Sequence, residues 1–375
     1  MFSKISKYSN FDWVSISATL FLLALGLVAI YSLSISQDGD GFNNFEKQVI
    51  FLIIGFVFFI GFSFLDYRIW KSHAGILYVI GNFSLIAVLI WGQTIRGTSG
   101  WFSLGPFNFQ PVELMKIFMI IFMAKFFAKK MSMGIGGKEF LASLVYLAIP
   151  VFFVMLQPDF GSASVLVITW VGMLFLAGVD KRIFFMLIIS GVIVILVGWG
   201  FFLKDYQKDR VQILLNPQND PLGSGYNIIQ SMVAVGSGGM TGKGLGHGSQ
   251  SHLNFLPERH TDFIYAAIAE ESGFVGVFLL LAILWILFYR LKKTADQSRD
   301  DFGQLLTGGV LVMFFFHALV NIGMNLGIMP VAGLSLPLVS YGGSFLIISL
   351  MAIGITQNVW KLRHRKRISS MNDLD

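Results

Sequence analysis

The stretch NFLPERHTDFIYAAIAEESGFVG, residues 254–276, joins the longest polar segment of the chain to a long apolar run. Its ionisable side chains are Glu258, Arg259, His260, Asp262, Glu270 and Glu271. If the apolar run enters a membrane, this cluster indicates a functional site, because ionisable groups are unfavourable at that boundary. Asp262 stands where the polar loop becomes the apolar helix. It fits either a helix N-cap or a general base.

The composition around this stretch is that of a membrane protein. Hydrophobic residues make up 55% of the 375 residues, charged residues make up 13%, and the mean hydropathy is +0.71. A soluble domain averages about 25% charged residues, so we predict that lipid surrounds most of the chain. The absence of cysteine excludes disulfides, thiol catalysis and cysteine-based zinc sites.

Apolar runs long enough to cross a hydrocarbon core of ~30 Å recur about ten times. We predict an all-α membrane bundle, a single polytopic domain over residues 1–375, with a large outer loop at 204–261 between the seventh and eighth helices. The first run lacks a small-residue cleavage site and is interpreted as a retained helix. The predicted spans are 13–35, 49–65, 73–91, 112–128, 140–156, 160–178, 183–203, 263–289, 304–329 and 343–360.

The basic residues orient the predicted bundle. With both termini cytoplasmic, the inner connectors and ends hold 18 of the 27 Lys and Arg residues, including Arg290, Lys292 and Lys293. Eight of the nine prolines fall on the outer side, where the loops are long and rich in glycine. Shaped loops on a rigid scaffold usually carry function, so we predict that the active face is outside.

Two shorter motifs place carboxylates near the same boundary. In QPVELMK, Pro111 suits a first helical turn, and Glu113 and Lys116 are i,i+3 neighbours. They fit either a buried ion pair that fixes the helix to its loop or a pair that tunes a group in an outer cavity. In QPDFG, Asp159 fits a cap of the sixth helix, which is the favoured interpretation, or a share in the site.

The glycine-rich outer segment does not fit a nucleotide site. A P-loop needs Gly at position 237 and Ser or Thr at 244, where the chain has Ser and Gly. The basic residues Arg210, Lys243 and Arg259 would suit an anionic headgroup such as a diphosphate. A plain structural loop explains the segment equally well.

Glu270 and Glu271 lie two turns further into the apolar run, about 12 Å along the helix. We expect one of them to face the bundle interior. A partner such as Lys116 would offset the ~2.5–3.5 kcal/mol that a charge facing lipid costs.

The stretch 317–344 suggests shaped backbone that lines an outer cavity. Pro330 and Pro337 interrupt the chain before Gly342 and Gly343 begin a new helix. Membrane depth tolerates irregular backbone only where protein or water covers it. His317 lies in this stretch, and a lone histidine in a bundle is a structural group more often than a catalyst.

Four motifs together resemble the SEDS family (shape, elongation, division and sporulation). The motifs are QPVELMK at 110–116, QPDFG at 157–161, GMTGKGLGHGSQSHLNFLPERHTDF at 239–263 and NIGMNLGIMPVAGLSLPLVSYGGS at 321–344. The resemblance covers nearly the whole chain. Arg259 favours the elongation branch over the division branch, where Ala is expected. Val112 is a small departure, since Ser or Ala is commoner there.

The resemblance implies polymerisation of lipid II, the undecaprenyl-diphosphate-linked disaccharide-pentapeptide, at the outer face of the cytoplasmic membrane. Asp262 would be the catalytic residue, taking the proton from an acceptor GlcNAc 4-hydroxyl. That oxygen would attack the donor MurNAc anomeric carbon with inversion and expel undecaprenyl diphosphate. The supporting cavity residues would be Glu113, Lys116, Asp159 and His260, and the diphosphate contacts would be Arg210, Lys243 and Arg259.

The implied partners are a class B penicillin-binding protein, which is a transpeptidase, and membrane proteins of the elongation machinery, with no nucleic acid. No cofactor is required by the motifs, although Mg²⁺ or Mn²⁺ could share the diphosphate charge. Two rival hypotheses are a lipid II flippase and a scaffold of cell-wall assembly. A flippase should carry polar groups through the whole depth, whereas here they cluster in the outer third, which favours the enzyme.

Overall fold

The fold is described by a computed structural model. It covers residues 11–35, 41–95, 97–105, 107–131, 134–180, 224–252, 255–256 and 258–363, with a few single positions between 182 and 220. The helices are α1 (Trp13–Ile35), α2 (Gly41–Phe64), α3 (Arg68–Trp91), α4 (Pro111–Ala128), α5 (Gly137–Leu156), α6 (Phe160–Leu176), α7 (Ser224–Ser237), α8 (Ser249–His252), α9 (Ile264–Asp296), α10 (Asp301–Asn325) and α11 (Gly343–Leu362).

In this part of the chain, seven helices are long and apolar enough to cross a membrane, namely α1, α2, α3, α5, α9, α10 and α11. Two more predicted spans correspond to α4, which carries Glu113, Lys116 and Lys125, and to α6, which has 17 residues. Most of the predicted span 183–203 lies outside the described residues. The all-α membrane fold is therefore confirmed.

The packing places α11 in the interior of the bundle. This helix is buried over most of its length, whereas α2 and α5 expose most of their apolar surface. Lipid is the natural solvent for surfaces of that kind. A large apolar core joins these helices, and α11 packs most extensively against α2.

The helix α9 extends further than the sequence predicts. Arg290, Lys292 and Lys293 were expected in an inner connector, but they lie in the last turns of α9. The apolar run marks only the part of a helix that contacts lipid. Beyond it, two ion pairs contribute to the helix: Arg290 Nη2 lies 2.7 Å from an Asp12 carboxylate oxygen in a largely buried pair, and Lys292 Nζ lies 2.6 Å from Asp296 in an exposed pair.

A small antiparallel sheet between α3 and α4 was not predicted. It consists of β1 (Gln93–Ile95), β2 (Thr98–Leu104) and β3 (Phe107–Phe109), in that order. Gly97 and Gly105 have φ angles of 79° and 66°, which permit the tight connections between strands. The Ser99 N–H donates to the Gln157 carbonyl (3.3 Å), so the sheet docks against the end of α5.

Gly273 interrupts α9 with φ 63° and ψ −161°. The backbone groups released there pair with residues 239–244. Lys243 N donates to Glu270 O and Gly244 N donates to Glu271 O, each at 3.0 Å, and Phe274 N donates to Gly239 O at 2.9 Å. The glycine-rich segment 239–244 therefore supports the interrupted part of α9. It provides hydrogen-bond partners for backbone N–H and C=O groups that the helix itself does not pair there.

Candidate functional site

A cavity of about 370 Å³ lies among the ends of several helices and the small sheet. Its walls are contributed by α2, the sheet, α4, the start of α6, the residues before α9, and the connection between α10 and α11. Charged and polar side chains line it, including Lys47, Gln110, Glu113, Asp159, Asp262 and His317.

Asp262 is half-buried and lines the cavity. The N-cap interpretation of this residue is wrong, because Ile264 begins α9 and Phe263 holds the N-cap position. The Asp262 N–H donates to the Glu258 carbonyl at 3.1 Å, so the carboxylate stands on a hydrogen-bonded turn. Asp262 was predicted as the catalytic residue, and that role stays a prediction.

Glu113 and Lys116 form the predicted ion pair on the first turns of α4. Lys116 Nζ lies 2.8 Å from Glu113 Oε1, and the two side chains are 1% and 9% exposed. Glu113 lines the cavity while Lys116 lies behind it. Among the described residues, Glu113 Oε2 has no hydrogen-bond partner. The pair therefore lies buried against the wall of the cavity, and Lys116 connects it to His317 on α10.

His317 on α10 belongs to the same group. Its Nε2 is 3.3 Å from Lys116 Nζ, and its Nδ1 is 3.2 Å from the Ser335 carbonyl oxygen. An ammonium only donates and a carbonyl only accepts, so Nε2 must accept and Nδ1–H must donate. The ring stacks on Phe345 with centroids 4.5 Å apart. His317 was interpreted as structural, and the structure adds that it lines the cavity.

Asp159 has the predicted capping role and also lines the cavity. Its Oδ1 accepts from the Ser162 N–H at 2.9 Å at the start of α6, and its Oδ2 accepts from Gln110 Nε2 at 3.1 Å. The start of α6 approaches the opposite wall closely, since a Cβ at Gly161 would collide with the Ala332 carbonyl oxygen.

The connection between α10 and α11 forms the predicted wall of shaped backbone, with residues 331–335 and 341–345 facing the cavity. Gly333 adopts φ +67°, and a Cβ there would lie 3.9 Å from Asp262 Oδ2. A side chain at this position would be strained and would crowd the carboxylate.

Two of the predicted headgroup cations, Arg259 and Lys243, lie outside the cavity. Arg259 is buried, its Nη1 donates to the Ser251 carbonyl, and burial lowers the pKa of its guanidinium. Lys243 pairs with Glu270 at 2.7 Å. Neither residue lines the cavity, whereas Lys47 does. The sequence contains no pattern that singles out Lys47, because it is one lysine near the start of α2.

Arg210 lies outside the described residues. His260 does not line the cavity, but its carbonyl accepts from the Tyr341 N–H at 2.8 Å and so joins two of the cavity's segments. The predicted roles of both residues stay predictions.

The suggested pairing of Lys116 with Glu270 or Glu271 is wrong, because Lys116 pairs with Glu113. Glu270 and Glu271 are both buried, and each is bound by the chain that folds over the break in α9. Glu271 Oε1 accepts from Ser32 Oγ at 2.6 Å and from the Gly246 N–H at 3.3 Å. These contacts form because the glycine-rich segment folds back against α9. The spacing of residues along the helix does not predict that contact.

The fold and the cavity define a multi-pass membrane protein with a polar site among its helix ends. The chain belongs to the cell cycle protein family of FtsW, RodA and SpoVE, whose family model matches residues 13–365. This finding confirms the predicted membership of the SEDS family.

Curated relatives align over almost the full chain. Peptidoglycan glycosyltransferase MrdB of Escherichia coli K12 is 38% identical over 97% of this chain and 98% of its own length. Stage V sporulation protein E of Bacillus subtilis is 37% identical over 94% of this chain and 98% of its own.

Solved structures share the fold. A chain from work on the structural coordination of polymerization and crosslinking by a peptidoglycan synthase complex has a TM-score of 0.80 at 33% identity, covering 95% of this chain and 99% of that one. The rod shape determining protein RodA of Thermus thermophilus has a TM-score of 0.72 at 28% identity, covering 95% and 98%.

Proposed function

We propose that this protein is a peptidoglycan glycosyltransferase that joins lipid II disaccharide units into glycan strands during cell elongation. The observation that carries the proposal is the convergence of Asp262, Glu113 and Asp159 on one cavity. The names of the curated relatives support the same activity, since the alignment with MrdB covers 97% of this chain.

In the proposed reaction, Asp262 is the general base. Its carboxylate takes the proton of the acceptor GlcNAc 4-hydroxyl while that oxygen attacks the anomeric carbon of the donor MurNAc. The C–O bond to the diphosphate breaks, the configuration at carbon inverts, and undecaprenyl diphosphate leaves. A general base needs direct reach to the proton it removes, and Asp262 lies at the surface of the cavity.

The other cavity residues support binding and orientation. Glu113 contributes a carboxylate to the cavity wall, and Lys47 places a positive charge near the diphosphate. Within the described residues, no group of three or more His, Asp or Glu side chains could hold a metal ion.

We further propose that the cavity faces the outer side of the cytoplasmic membrane, where the polyprenyl tail stays in lipid and the glycan grows in water. The partner would be a class B penicillin-binding protein within the elongation machinery. The similarity to a chain of a peptidoglycan synthase complex, with a TM-score of 0.80, supports that partner.

The test is polymerisation of purified lipid II by the chain with its transpeptidase partner. We expect Asp262→Asn to lose about 10²–10⁴-fold in rate, the contribution typical of a general base. Asp66→Asn is the matched control, because Asp66 lies in the connection between α2 and α3 and is about half exposed. All variants must first be shown to be folded and bound to the partner.

Equal polymerisation by wild type and Asp262→Asn would refute the general-base assignment, and Glu113 would be tested next. If no variant makes polymer while lipid II crosses liposomes, the protein is a transporter of lipid II instead.

A further inference from the structure

The carbonyl group of Asp262 is held by two buried amide side chains of α10. Asn321 Nδ2 donates to it at 3.0 Å and Asn325 Nδ2 donates at 2.9 Å. Both asparagines are completely buried. An unpaired buried amide is costly, so each side chain is strongly held in this arrangement. The backbone that carries the carboxylate is therefore fixed from a neighbouring helix.

The two preceding carbonyls are fixed from the connection between α10 and α11. The Thr261 carbonyl accepts from Ser340 Oγ at 2.7 Å, and the His260 carbonyl accepts from the Tyr341 N–H at 2.8 Å. Ser340 Oγ also accepts from the Leu336 N–H at 2.8 Å. Three consecutive carbonyl groups are thus bound by donors outside their own segment.

Asn325 also caps α9 from outside. Its Oδ1 accepts from the Ala266 N–H at 3.0 Å, and Ala266 is the third residue of α9. An N-cap side chain normally supplies this acceptor to the second or third N–H of its own helix. Because Asn325 supplies it, the carboxylate of Asp262 is not needed there and can line the cavity.

Asn321 connects the two walls that meet at the carboxylate. Besides the Asp262 carbonyl, it donates to the Leu334 carbonyl at 2.8 Å. Leu334 follows Gly333, the residue whose Cβ position lies 3.9 Å from Asp262 Oδ2. One side-chain amide therefore sets the distance between the carboxylate and the backbone opposite it.

We propose that Asn321 and Asn325 are positioning residues for the reaction: both orient Asp262 through its backbone carbonyl, and Asn325 also caps the helix that follows it. This inference rests on the proposed function, because it assigns a purpose to the orientation of the general base. A general base displaced by about 1 Å loses about 10²-fold in rate, so these two amides should act mainly on kcat.

The experiment compares Asn321→Leu, Asn325→Leu and Asn325→Asp in the polymerisation assay. Asn321→Leu removes the amide that donates to the Asp262 carbonyl. Asn325→Leu removes such a donor and also the oxygen that accepts from the Ala266 N–H. Asn325→Asp keeps an oxygen for the Ala266 N–H but loses the amide donor to the Asp262 carbonyl. Asn358→Leu is the matched control. Asn358 is buried on α11, accepts from the Tyr67 N–H and donates to the Ser63 carbonyl, each at 3.0 Å, away from the cavity.

We expect kcat of the three cavity variants to fall about 10–100-fold, with KM for lipid II within about twofold of wild type. Asn358→Leu should lower the thermal midpoint of unfolding about as much as the Asn321 and Asn325 leucine variants do. It should leave kcat per folded molecule unchanged. If the leucine variants do not fold, Ser340→Ala gives the same test with the loss of a single hydroxyl, and a fall in kcat at constant KM is again expected.

Full kcat in the cavity variants, or an equal fall in Asn358→Leu, would overturn the positioning role. An active wild type, an inactive Asp262→Asn and a fully active Asn325→Leu would overturn this inference alone. An inactive wild type, or a fully active Asp262→Asn, would overturn the proposed function first and the inference with it.

Discussion

Removing the Lys116 ammonium should expose how strongly the cavity depends on a desolvated ion pair. In the wild-type protein, Lys116 Nζ lies 2.8 Å from Glu113 Oε1. Lys116→Met removes this amine and leaves the Glu113 carboxylate buried without its ion-pair partner. Breaking a buried pair by removing one partner costs about 3–5 kcal/mol, because a buried charge is left without compensation. Glu113→Gln should cost a similar amount, since the ammonium is only 1% exposed.

The double variant Glu113→Gln with Lys116→Met removes both charges. It should be far less destabilised than the sum of the single variants, because replacing a buried pair by neutral groups is often close to neutral. The free energy of unfolding can be measured by reversible denaturation in mixed detergent micelles and analysed as a double-mutant cycle.

The exposed pair Lys292–Asp296 is the control. Its N···O distance of 2.6 Å is even shorter, but its side chains are 65% and 55% exposed. Such pairs contribute about 0–1 kcal/mol, so Lys292→Met should have little effect. Two results would refute the view that this part of the cavity excludes water. One is that the losses in free energy of unfolding for Glu113→Gln and Lys116→Met are additive in the double variant, and the other is that they are as small as the loss for Lys292→Met.

Two further predictions concern the loops. Glu270→Gln should destabilise the protein by about 1–3 kcal/mol, less than Glu113→Gln because Lys243 is 29% exposed and can be rehydrated. Hydrogen exchange should then increase in residues 243–251. Burial, and next the charge of Asp300, raise the pKa of Tyr67 from 10.0 to about 12. The folded state thus favours the neutral phenol more than the unfolded state does. The resulting contribution of Tyr67 to the free energy of unfolding is complete below pH 10. It is lost as pH rises through about 12, amounting to about 2–3 kcal/mol, and Tyr67→Phe should abolish this loss in denaturation measured at increasing pH.

The spans could be predicted because crossing a hydrocarbon layer imposes a length and an apolar composition that are visible in one dimension. The sheet at 93–109 could not be predicted in the same way. Two of its strands have three residues each, too short for an alternating pattern, and they are stabilised by docking on the end of α5. The end of α9 was also missed, because Arg290, Lys292 and Lys293 end the continuous apolar run while Leu291 and Ala295 are still buried.

The site was predictable where a charge was out of place and unpredictable where partners were distant in sequence. Asp262, Glu113 and Asp159 were identified because carboxylates at a membrane boundary need a reason to be there. The partner of Glu270 was not, because Lys243 reaches it only through the return of the glycine-rich segment over Gly273. That return depends on backbone hydrogen bonds, which leave no periodic pattern in the sequence.

The position of each carboxylate relative to the cavity, and the groups that fix it there, separate structural from reactive groups. Glu270 accepts from Lys243, Ser249, the Gln250 N–H, and both the N–H and hydroxyl of Ser251, so neither oxygen is available to a substrate. Both oxygens of Asp159 are likewise engaged. Asp262 lies in the wall of the cavity, and its backbone carbonyl receives two hydrogen bonds from buried asparagines. A general base needs rigid support and a position within reach of the substrate, which is why Asp262 is the stronger choice.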